Sequence, residues 1–379
     1  MALIPVPSEQ RQHLRPTTDS FDGEPGLMPG PAPGLAVTGL DDRRWLEFAG
    51  SHREATVFHH PAWSQVLVAA YGYRPSVLLQ DDTNGAVAAG IPTLEVQRLS
   101  PRRRFTALPF TDYCPPLATS EDSLAALTTA LLRWQRSGHI HQLVVHGDMS
   151  SIAGIHVVSR AVRHLLPLDC TREEYLRRIK GNQVDRAIKK AQREGVTARI
   201  SRTEADTDTF YQLHVETRRR QGVPVQPKRF FRLLWRLVID RGLGFVVLAQ
   251  KDGQPIAGAV YLAWNDHVIY KYGASDARFW DLRPNNLVMW TAIEWACVHG
   301  YRDLDFGRSD IDNHGLREFK RRWGAVEIPL NYSYVTTARP APWPGLSRQI
   351  MARIIQSSPS VVCRLTGELL YGRLPGLAS

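Results

Sequence analysis

The same arrangement of segments occurs twice in this chain of 379 residues. In the first half, residues 76–80 and 86–96 predict two β-strands joined by a turn that contains Asp and Gly. In the second half, residues 245–250 and 255–264 predict the same hairpin. Each returning strand carries an Ala-Gly pair, and a predicted helix, a glycine and another strand follow in each half. A chain with this pattern is expected to fold as two similar α/β halves.

The second half is the more complete of the two. It predicts helices over 207–220 and 228–240, a three-stranded meander, a helix over 286–299, a strand over 301–307, a short helix, and a strand over 326–336. This order is that of a GNAT-type acyltransferase core. We therefore predict two tandem GNAT-like domains, each a mixed, mostly antiparallel sheet flanked by helices. The alternative is a chance similarity between two ordinary hairpins.

Length and composition suggest four segments, because 379 residues exceed what one core usually holds. We predict a disordered, Pro- and Gly-rich leader over 1–35 and a first domain over 36–165. A second domain over 166–337 precedes a Pro-rich linker and a helical tail over 338–379. Packing of this tail on a domain is favoured over a peripheral contact with a membrane surface.

Charge and hydrophobic pattern limit the location and the partners. No signal segment and no long apolar run is present, so a soluble, cytoplasmic protein is expected. The net charge of +10 favours anionic partners such as nucleic acid, phosphorylated cofactors or anionic lipid. A basic surface without a partner is an equally favoured alternative. The four cysteines lack paired spacing, and no carboxylate stands at ligand spacing from the histidines, so no metal site is predicted.

A basic helix is predicted over residues 182–195. Its cations recur at helical spacing on one side, while apolar residues occupy the other. Such a face can bind phosphate groups, although a solvated helix face is the alternative. The cations are Arg186, Lys189, Lys190 and Arg193.

Residues 301–325 contain the densest set of groups that could carry chemistry. In a strand, Asp303 and Asp305 point to one face. Acylation of an amine requires a proton acceptor, which a carboxylate can supply, and a cation or donor that stabilises the oxyanion. A surface loop of mixed charge is the alternative. The cations of this segment include Arg308, Lys320 and Arg321.

A second possible anion site is the turn over 281–286, which precedes the helix predicted from Asn286. We expect Asn285 or Asn286 to cap that helix and Arg283 to lie at its positive end. A plain helix cap is an equally favoured interpretation.

Several of these segments resemble one family. Residues 282–309 and 315–325 resemble the C-terminal signature of the Fem-type aminoacyltransferases. Residues 185–196 resemble the helix that follows the family's first domain, and 209–231 resemble its shorter members. The resemblance covers about residues 40–335 and implies two GNAT-like domains. The best-known members use aminoacyl-tRNA to add amino acids to the peptide of a cell-wall precursor, and other relatives act in secondary metabolism or exopolysaccharide systems.

The resemblance also implies roles for individual residues and for the donor. Lys320, in the motif FK–WG, would contact the reacting acyl group, and Arg308 would bind a phosphate or carboxylate nearby. No permanently bound cofactor is implied, and the co-substrate would be aminoacyl-tRNA or acyl-CoA. Two departures from the family pattern each weaken one donor. No heptad run supplies a coiled-coil arm, which weakens the case for aminoacyl-tRNA. RPNN replaces the Gly-rich pyrophosphate loop, which weakens the case for acyl-CoA.

We therefore predict a Fem-like transferase that moves an aminoacyl or acyl group onto an amine of a small molecule, peptide or cell-envelope precursor. Lys320 would be catalytic together with Asp305 or Asp303. The alternatives are an N-acyltransferase that uses acyl-CoA or an acyl carrier, and a catalytically silent RNA- or membrane-binding protein. No stable protein partner is predicted. The predicted substrate- and donor-binding residues are Arg308, Arg283, Asn286, Arg186, Lys189, Lys190, Arg193 and Arg321.

Overall fold

A computed structural model describes residues 34–96, 103–149 and 152–336. The leader predicted over 1–35, apart from its last two residues, and the tail predicted over 338–379 lie outside the described residues. Within the described part of the chain, no helix has the length and apolar character needed to cross a membrane.

The first half contains ten helices and strands that the structure describes. They are β1 (Ala36–Thr38), α1 (Arg43–Ser51), α2 (Pro61–Tyr71), β2 (Arg74–Asp81), β3 (Val87–Glu95), β4 (Arg104–Thr106), β5 (Leu117–Ala118), α3 (Glu121–Arg136), β6 (Gln142–Val145) and β7 (Ile155–Pro167).

The second half begins with two helices and ends on a long strand. Its elements are α4 (Arg172–Ile179), α5 (Gln183–Arg193), β8 (Thr197–Ser201), α6 (Glu204–Gln221), α7 (Lys228–Leu234) with a π-helical continuation (Trp235–Ile239), β9 (Gly244–Lys251), β10 (Gln254–Trp264), β11 (His267–Ser275), a 3-10 turn (Ala277–Leu282), α8 (Pro284–Val298), β12 (Asp303–Asp310), α9 (His314–Arg321) and β13 (Val326–Thr336).

Both predicted hairpins are confirmed, and the repeat extends beyond them. β2 pairs antiparallel with β3, as β9 does with β10. In each half the next strand is also antiparallel, because β4 follows β3 and β11 follows β10. A helix then leads into a strand that pairs in parallel: β6 with β4, and β12 with β11. The predicted fold class, two tandem halves with mixed, mostly antiparallel sheets flanked by helices, is confirmed.

The halves exchange their last strands. β7 follows β6 in the chain but pairs with β12 and β13, while β13 pairs with β6 and β7. The β7–β13 ladder runs from Leu165↔Val326 to Ile155↔Val335 and joins both halves into one sheet. The domain boundary predicted at residue 165 falls near the end of β7, and its placement stays a prediction.

The structure corrects several predicted elements. β7 was not predicted, because polar residues such as Ser159 and His164 interrupt the apolar alternation of a strand that is paired on both sides. The helix predicted over 228–240 is α-helical only to Leu234. The strand predicted over 301–307 begins at Asp303 and runs to Asp310.

Two apolar clusters cover opposite faces of the central strands. Val246 and Val260 belong to one cluster, and Val247 and Tyr261 belong to the other, as expected for side chains that alternate along a strand. The first cluster packs α2 of the first half against α6 and α7 of the second. The second cluster packs α4, α5 and α8 on the other face. The core therefore also crosses between the halves.

We expect a fragment of residues 168–336 to lack a cooperative thermal transition, because removal of β7 leaves β12 and β13 with unpaired edges. Residues 34–336 should melt cooperatively, and separately expressed fragments 34–167 and 168–336 should regain that transition when they refold together. Calorimetry and circular dichroism would measure this. A cooperative transition in the isolated 168–336 fragment would contradict the interpretation.

Candidate functional site

The parallel pairing between two adjacent strands of the second half ends part-way along them. β11 and β12 pair from His267↔Asp303 to Ile269↔Asp305, and the pairing ends there although both strands continue. Each strand has a bulge just beyond that point. In β11, Lys271 is the extra residue, and in β12 the register shifts between Asp305 and Arg308. The carboxyl ends of parallel strands commonly bind ligands, so the region beyond Ile269 and Asp305 is the candidate site.

Lys320 supports the bulge of β12 from α9. Its side chain is 3% exposed, and its Nζ donates to the carbonyl oxygens of Gly307, at 2.8 Å, and Arg308, at 3.0 Å. An ammonium has three N–H donors, so one remains for a further acceptor. Burial lowers the pKa of Lys320 to about 8, although Asp305 and Asp112 lie near enough to oppose that effect. The group can therefore act as a cationic donor at neutral pH.

Asp305 holds the same bulge from within its own strand. Its Oδ1 accepts a hydrogen bond from the Gly307 amide at 2.7 Å, and Arg163 Nη1 lies 3.4 Å from Oδ2. Burial raises the pKa of this carboxyl. Asp305 and Lys320 are thus brought together, one on the amide of Gly307 and the other on its carbonyl.

Asp112, which the sequence did not single out, reaches this bulge from the first half. Its Oδ2 would lie 2.9 Å from a Cβ added to Gly307, and the Arg308 amide approaches it at 3.5 Å. Gly307 has φ +70°, a conformation that glycine adopts without penalty. The carboxylate can approach the backbone because residue 307 has no side chain.

Asp112 belongs to a strained loop between β4 and β5. Leu108 and Phe110 adopt φ values of 57° and 61°, which cost non-glycine residues about 1–3 kcal/mol each. Such strain persists only where surrounding contacts impose it, and it is concentrated at functional sites. The sequence signal for this loop is local: Pro109 and Pro115 bracket Asp112 within a short connection.

Arg308 follows Gly307 in the β12 bulge, and its predicted role in binding an anion stays a prediction. Its guanidinium donates to the Tyr332 hydroxyl at 3.2 Å and to Asp310 at 3.0 Å. Burial raises the pKa of Tyr332 to about 12, so the phenol keeps its proton. The Tyr332 ring lies 4.7 Å from the ring of His146, whose pKa burial lowers to about 4.

Asp303 lies outside this group. It occupies the paired end of β12, where its carboxylate contacts His267 Nδ1 at 2.8 Å and Arg302 Nε at 3.2 Å. Strand alternation predicts that Asp303 and Asp305 share a face. It does not show that the pairing with β11 ends at Asp305, so that Asp303 lies at the paired end of the strand.

The predicted anion-binding cations lie on an outer surface. Val184 and Ile188 bury one side of α5, while Arg186 and Arg193 are exposed. Lys189 pairs with Asp185 at 2.8 Å, and Lys190 is partly buried. The start of α5 contacts the end of α9, because Asn182 Nδ2 lies 3.5 Å from the Arg322 carbonyl. The neighbouring Arg321 pairs with Glu318 on α9.

The start of α8 lies beside the end of β11. The predicted asparagine cap is wrong: α8 begins at Pro284, and its cap is Arg283, which makes no side-chain capping hydrogen bond. Proline at the first helical position fixes this earlier start. Asn285 instead donates to the Ser275 hydroxyl at 3.3 Å, and the Asn286 amide donates to the Arg283 carbonyl.

Comparison with known proteins matches part of this sequence to one family and to curated relatives. Residues 176–321 match the acetyltransferase (GNAT) domain family. A 92-residue segment is 34% identical to lipid II:glycine glycyltransferase of Staphylococcus aureus, covering 23% of this chain and 22% of that protein. The chain thus spans less than a quarter of the length of the curated relatives it matches.

Solved structures show the same fold. FemX superposes with a TM-score of 0.64 at 14% identity, over 85% of this chain and all of that one. L-PGS from Bacillus licheniformis gives 0.52 at 12% identity, over 87% of this chain and 98% of that one.

The match over residues 176–321 confirms the predicted class, a GNAT-type acyltransferase, for that part of the chain. Within that class, the chain is similar to the Fem-type proteins, and the predicted resemblance is confirmed.

Gly307→Ala should displace Asp112 as well as strain the backbone. Gly253→Ala is the matched control, because Gly253 has φ +79° but no atom within 4 Å of an added Cβ. We expect the control to lose about 1 kcal/mol of stability and Gly307→Ala to lose more. Denaturant unfolding would measure both, and equal losses would contradict a close contact at Gly307.

Lys320 should titrate near pH 8 instead of the 10.5 of a free lysine side chain. The folded protein then binds fewer protons than the unfolded chain between these pH values. The contribution of Lys320 to stability should accordingly rise with pH across that window. NMR titration of isotope-labelled lysine would test this, with Lys320→Arg assigning the resonance. A midpoint above pH 10 would show that the ammonium is well solvated.

Proposed function

We propose that this protein is a cytoplasmic transferase that moves an aminoacyl group from an activated ester, such as aminoacyl-tRNA, onto an amine. The acceptor amine belongs to a peptide, a small molecule or a cell-envelope precursor. The observation that supports this most strongly is the bulge of β12, where a buried cation and a carboxylate from the other half meet at Gly307.

The chemistry follows from the groups at this bulge. The amine nitrogen forms a bond to the acyl carbon, and the carbonyl oxygen becomes an oxyanion. The remaining N–H of Lys320 stabilises that oxyanion, since a preorganised donor in a site with little water contributes strongly there. The ester C–O bond then breaks. Asp112 accepts the proton that the amine loses and returns it to the leaving alkoxide oxygen.

Two other groups arrange the site in this proposal. Asp305 holds the Gly307 amide and so maintains the bulge that Lys320 also contacts. The guanidinium of Arg308, which already donates to the Tyr332 hydroxyl, binds a phosphate or carboxylate of the substrate. Asp303 contacts His267 and Arg302 at the paired end of β12 and takes no part in the reaction.

The donor would extend from the β12 bulge onto a basic surface. α5 and the end of α9 carry Arg186, Arg193 and Arg321, which suit the phosphates of a nucleic-acid or nucleotide donor. The similarity to a glycyltransferase favours an aminoacyl group.

A second candidate is an N-acyltransferase that uses acyl-CoA or an acyl carrier. The match to an acetyltransferase domain favours it, as does the start of α8, where amides without a side-chain cap lie beside the end of β11. In this case the thioester C–S bond breaks and a thiol leaves, while Lys320 and Asp112 keep their roles.

Thermal-shift titration at physiological salt separates the candidates, because a ligand that binds the folded state raises the melting temperature. The ligands are acetyl-CoA, a long-chain acyl-CoA, uncharged tRNA and mixed aminoacyl-tRNAs. Selective stabilisation by charged tRNA is the expected result, and stabilisation by an acyl-CoA would favour the second candidate. Steeply salt-dependent binding without donor consumption would indicate a silent binding protein.

Lys320→Ala should reduce turnover at least about 100-fold while the fold stays intact, because it removes the oxyanion donor. Lys320→Arg should keep part of the activity, since the charge remains. Lys228→Ala, which removes a surface lysine paired with Asp208, is the control. Single-turnover assays with the stabilising donor would measure this. A folded, fully active Lys320→Ala protein would show that the assignment is wrong.

A further inference from the structure

Lys271 occupies the bulge of β11, the strand that pairs with β12. Tyr261 pairs with Tyr270 and Val260 with Tyr272, so Lys271 is the residue without a partner in β10. A bulge of this kind redirects a side chain. The ammonium of Lys271 donates to the carbonyl oxygen of Phe110, in the strained loop of the first half.

The surroundings of this ammonium are aromatic and acidic. Its Nζ lies 5.3 Å from the ring centre of Phe58, 5.5 Å from Trp63 and 5.4 Å from Tyr272, distances at which a cation is attracted to a ring. Asp112 and Asp305 both lie near enough to favour its charge, while burial lowers the pKa of Lys271. The hydrogen bond to Phe110 and the three aromatic rings together fix the position of the Lys271 ammonium.

The loop that receives this hydrogen bond is already anchored to the first half on both sides of Phe110. The Ala107 amide donates to the Val144 carbonyl at 2.7 Å. Beyond Phe110, the Trp63 indole donates to the Thr111 hydroxyl at 2.9 Å, and the Cys114 amide to the His146 carbonyl at 2.7 Å. Within the segment, the Leu108 amide donates to the Thr106 carbonyl at 2.8 Å and the Phe110 ring lies 5.1 Å from the Tyr71 ring, while Lys271 adds a contact from the second half.

We propose that Lys271 is a positioning residue, which binds the Phe110 carbonyl and thereby holds Asp112 of the first half against the Gly307–Arg308 bulge. Phe110 lies two residues before Asp112, so movement of its carbonyl displaces the carboxylate directly. The inference rests on the proposed function in one respect, namely that Asp112 takes part in the transfer. Lys271 itself does not act on the substrate in this proposal.

The first test needs no substrate. Hydrogen exchange of peptides that cover residues 105–116 is compared for the wild type, Lys271→Met and Lys271→Arg. We expect Lys271→Met to raise exchange of the Leu108–Asp112 segment about tenfold, because its anchor to the second half is lost. Lys271→Arg keeps the charge and a donor and should restore part of the protection. Lys251→Met, which removes a lysine at the end of β9, is the matched control and should leave this segment unchanged.

The second test measures transfer with the donor that stabilises the wild type. Lys271→Met should lower kcat about 10- to 100-fold and change the donor KM less than about twofold, since a misplaced group slows the chemical step more than it weakens binding. The losses from Lys271→Met and Asp112→Asn should not add in the double variant, because both act through the same carboxylate.

The outcomes separate the two proposals. Unchanged exchange in Lys271→Met overturns the positioning role, and additive kinetic losses also overturn it. If the wild type transfers nothing from any donor, the proposed function fails while the exchange experiment still decides whether Lys271 holds the loop. If Lys271→Met does not fold, Lys271→Gln replaces it, because glutamine keeps an N–H donor without the charge. Its hydrogen exchange is then compared with that of Lys271→Arg.

Discussion

The β7–β13 ladder is the interaction on which the rest of this structure depends. Through it, the last strand of each half pairs within the other half. An ordinary pair of domains meets through side chains and can move about a linker, whereas these halves share backbone hydrogen bonds along one sheet. The position of the 107–113 loop relative to β12 is therefore set by the strand register.

That register allows a site to be assembled from both halves. β12 contributes Gly307 and Asp305, α9 contributes Lys320, and the first half contributes Asp112. Two bulges interrupt the strand register near these groups, and Gly307 leaves room for a carboxylate beside the backbone. Asp305 and Lys320 remain charged or polar groups in a buried site because backbone groups satisfy them, which offsets the cost of burying them.

Much of this architecture could be predicted from the sequence. Apolar alternation and turn residues located both hairpins and the ends of α3 and β13, since these features are local. Lys320, Asp305 and Arg308 lie close together in sequence as well as in space, so one segment revealed them. β7 was missed because its polar residues hide a strand that is paired on both sides. Asp112 and Lys271 were missed because their meeting depends on strand exchange, which no local pattern records.

Strand exchange also determines the order in which the chain can be completed during synthesis. β6 is synthesised early, but Val145 can pair with Ser333 only after β13 has been synthesised. Until then the first half carries an open strand edge, and its Asp112 loop has no second half to bind. Pairings between such distant residues form slowly, because a long loop must close before they contribute. The nascent chain therefore passes through a period in which neither half is complete, and that period ends only when β13 pairs with β6 and β7.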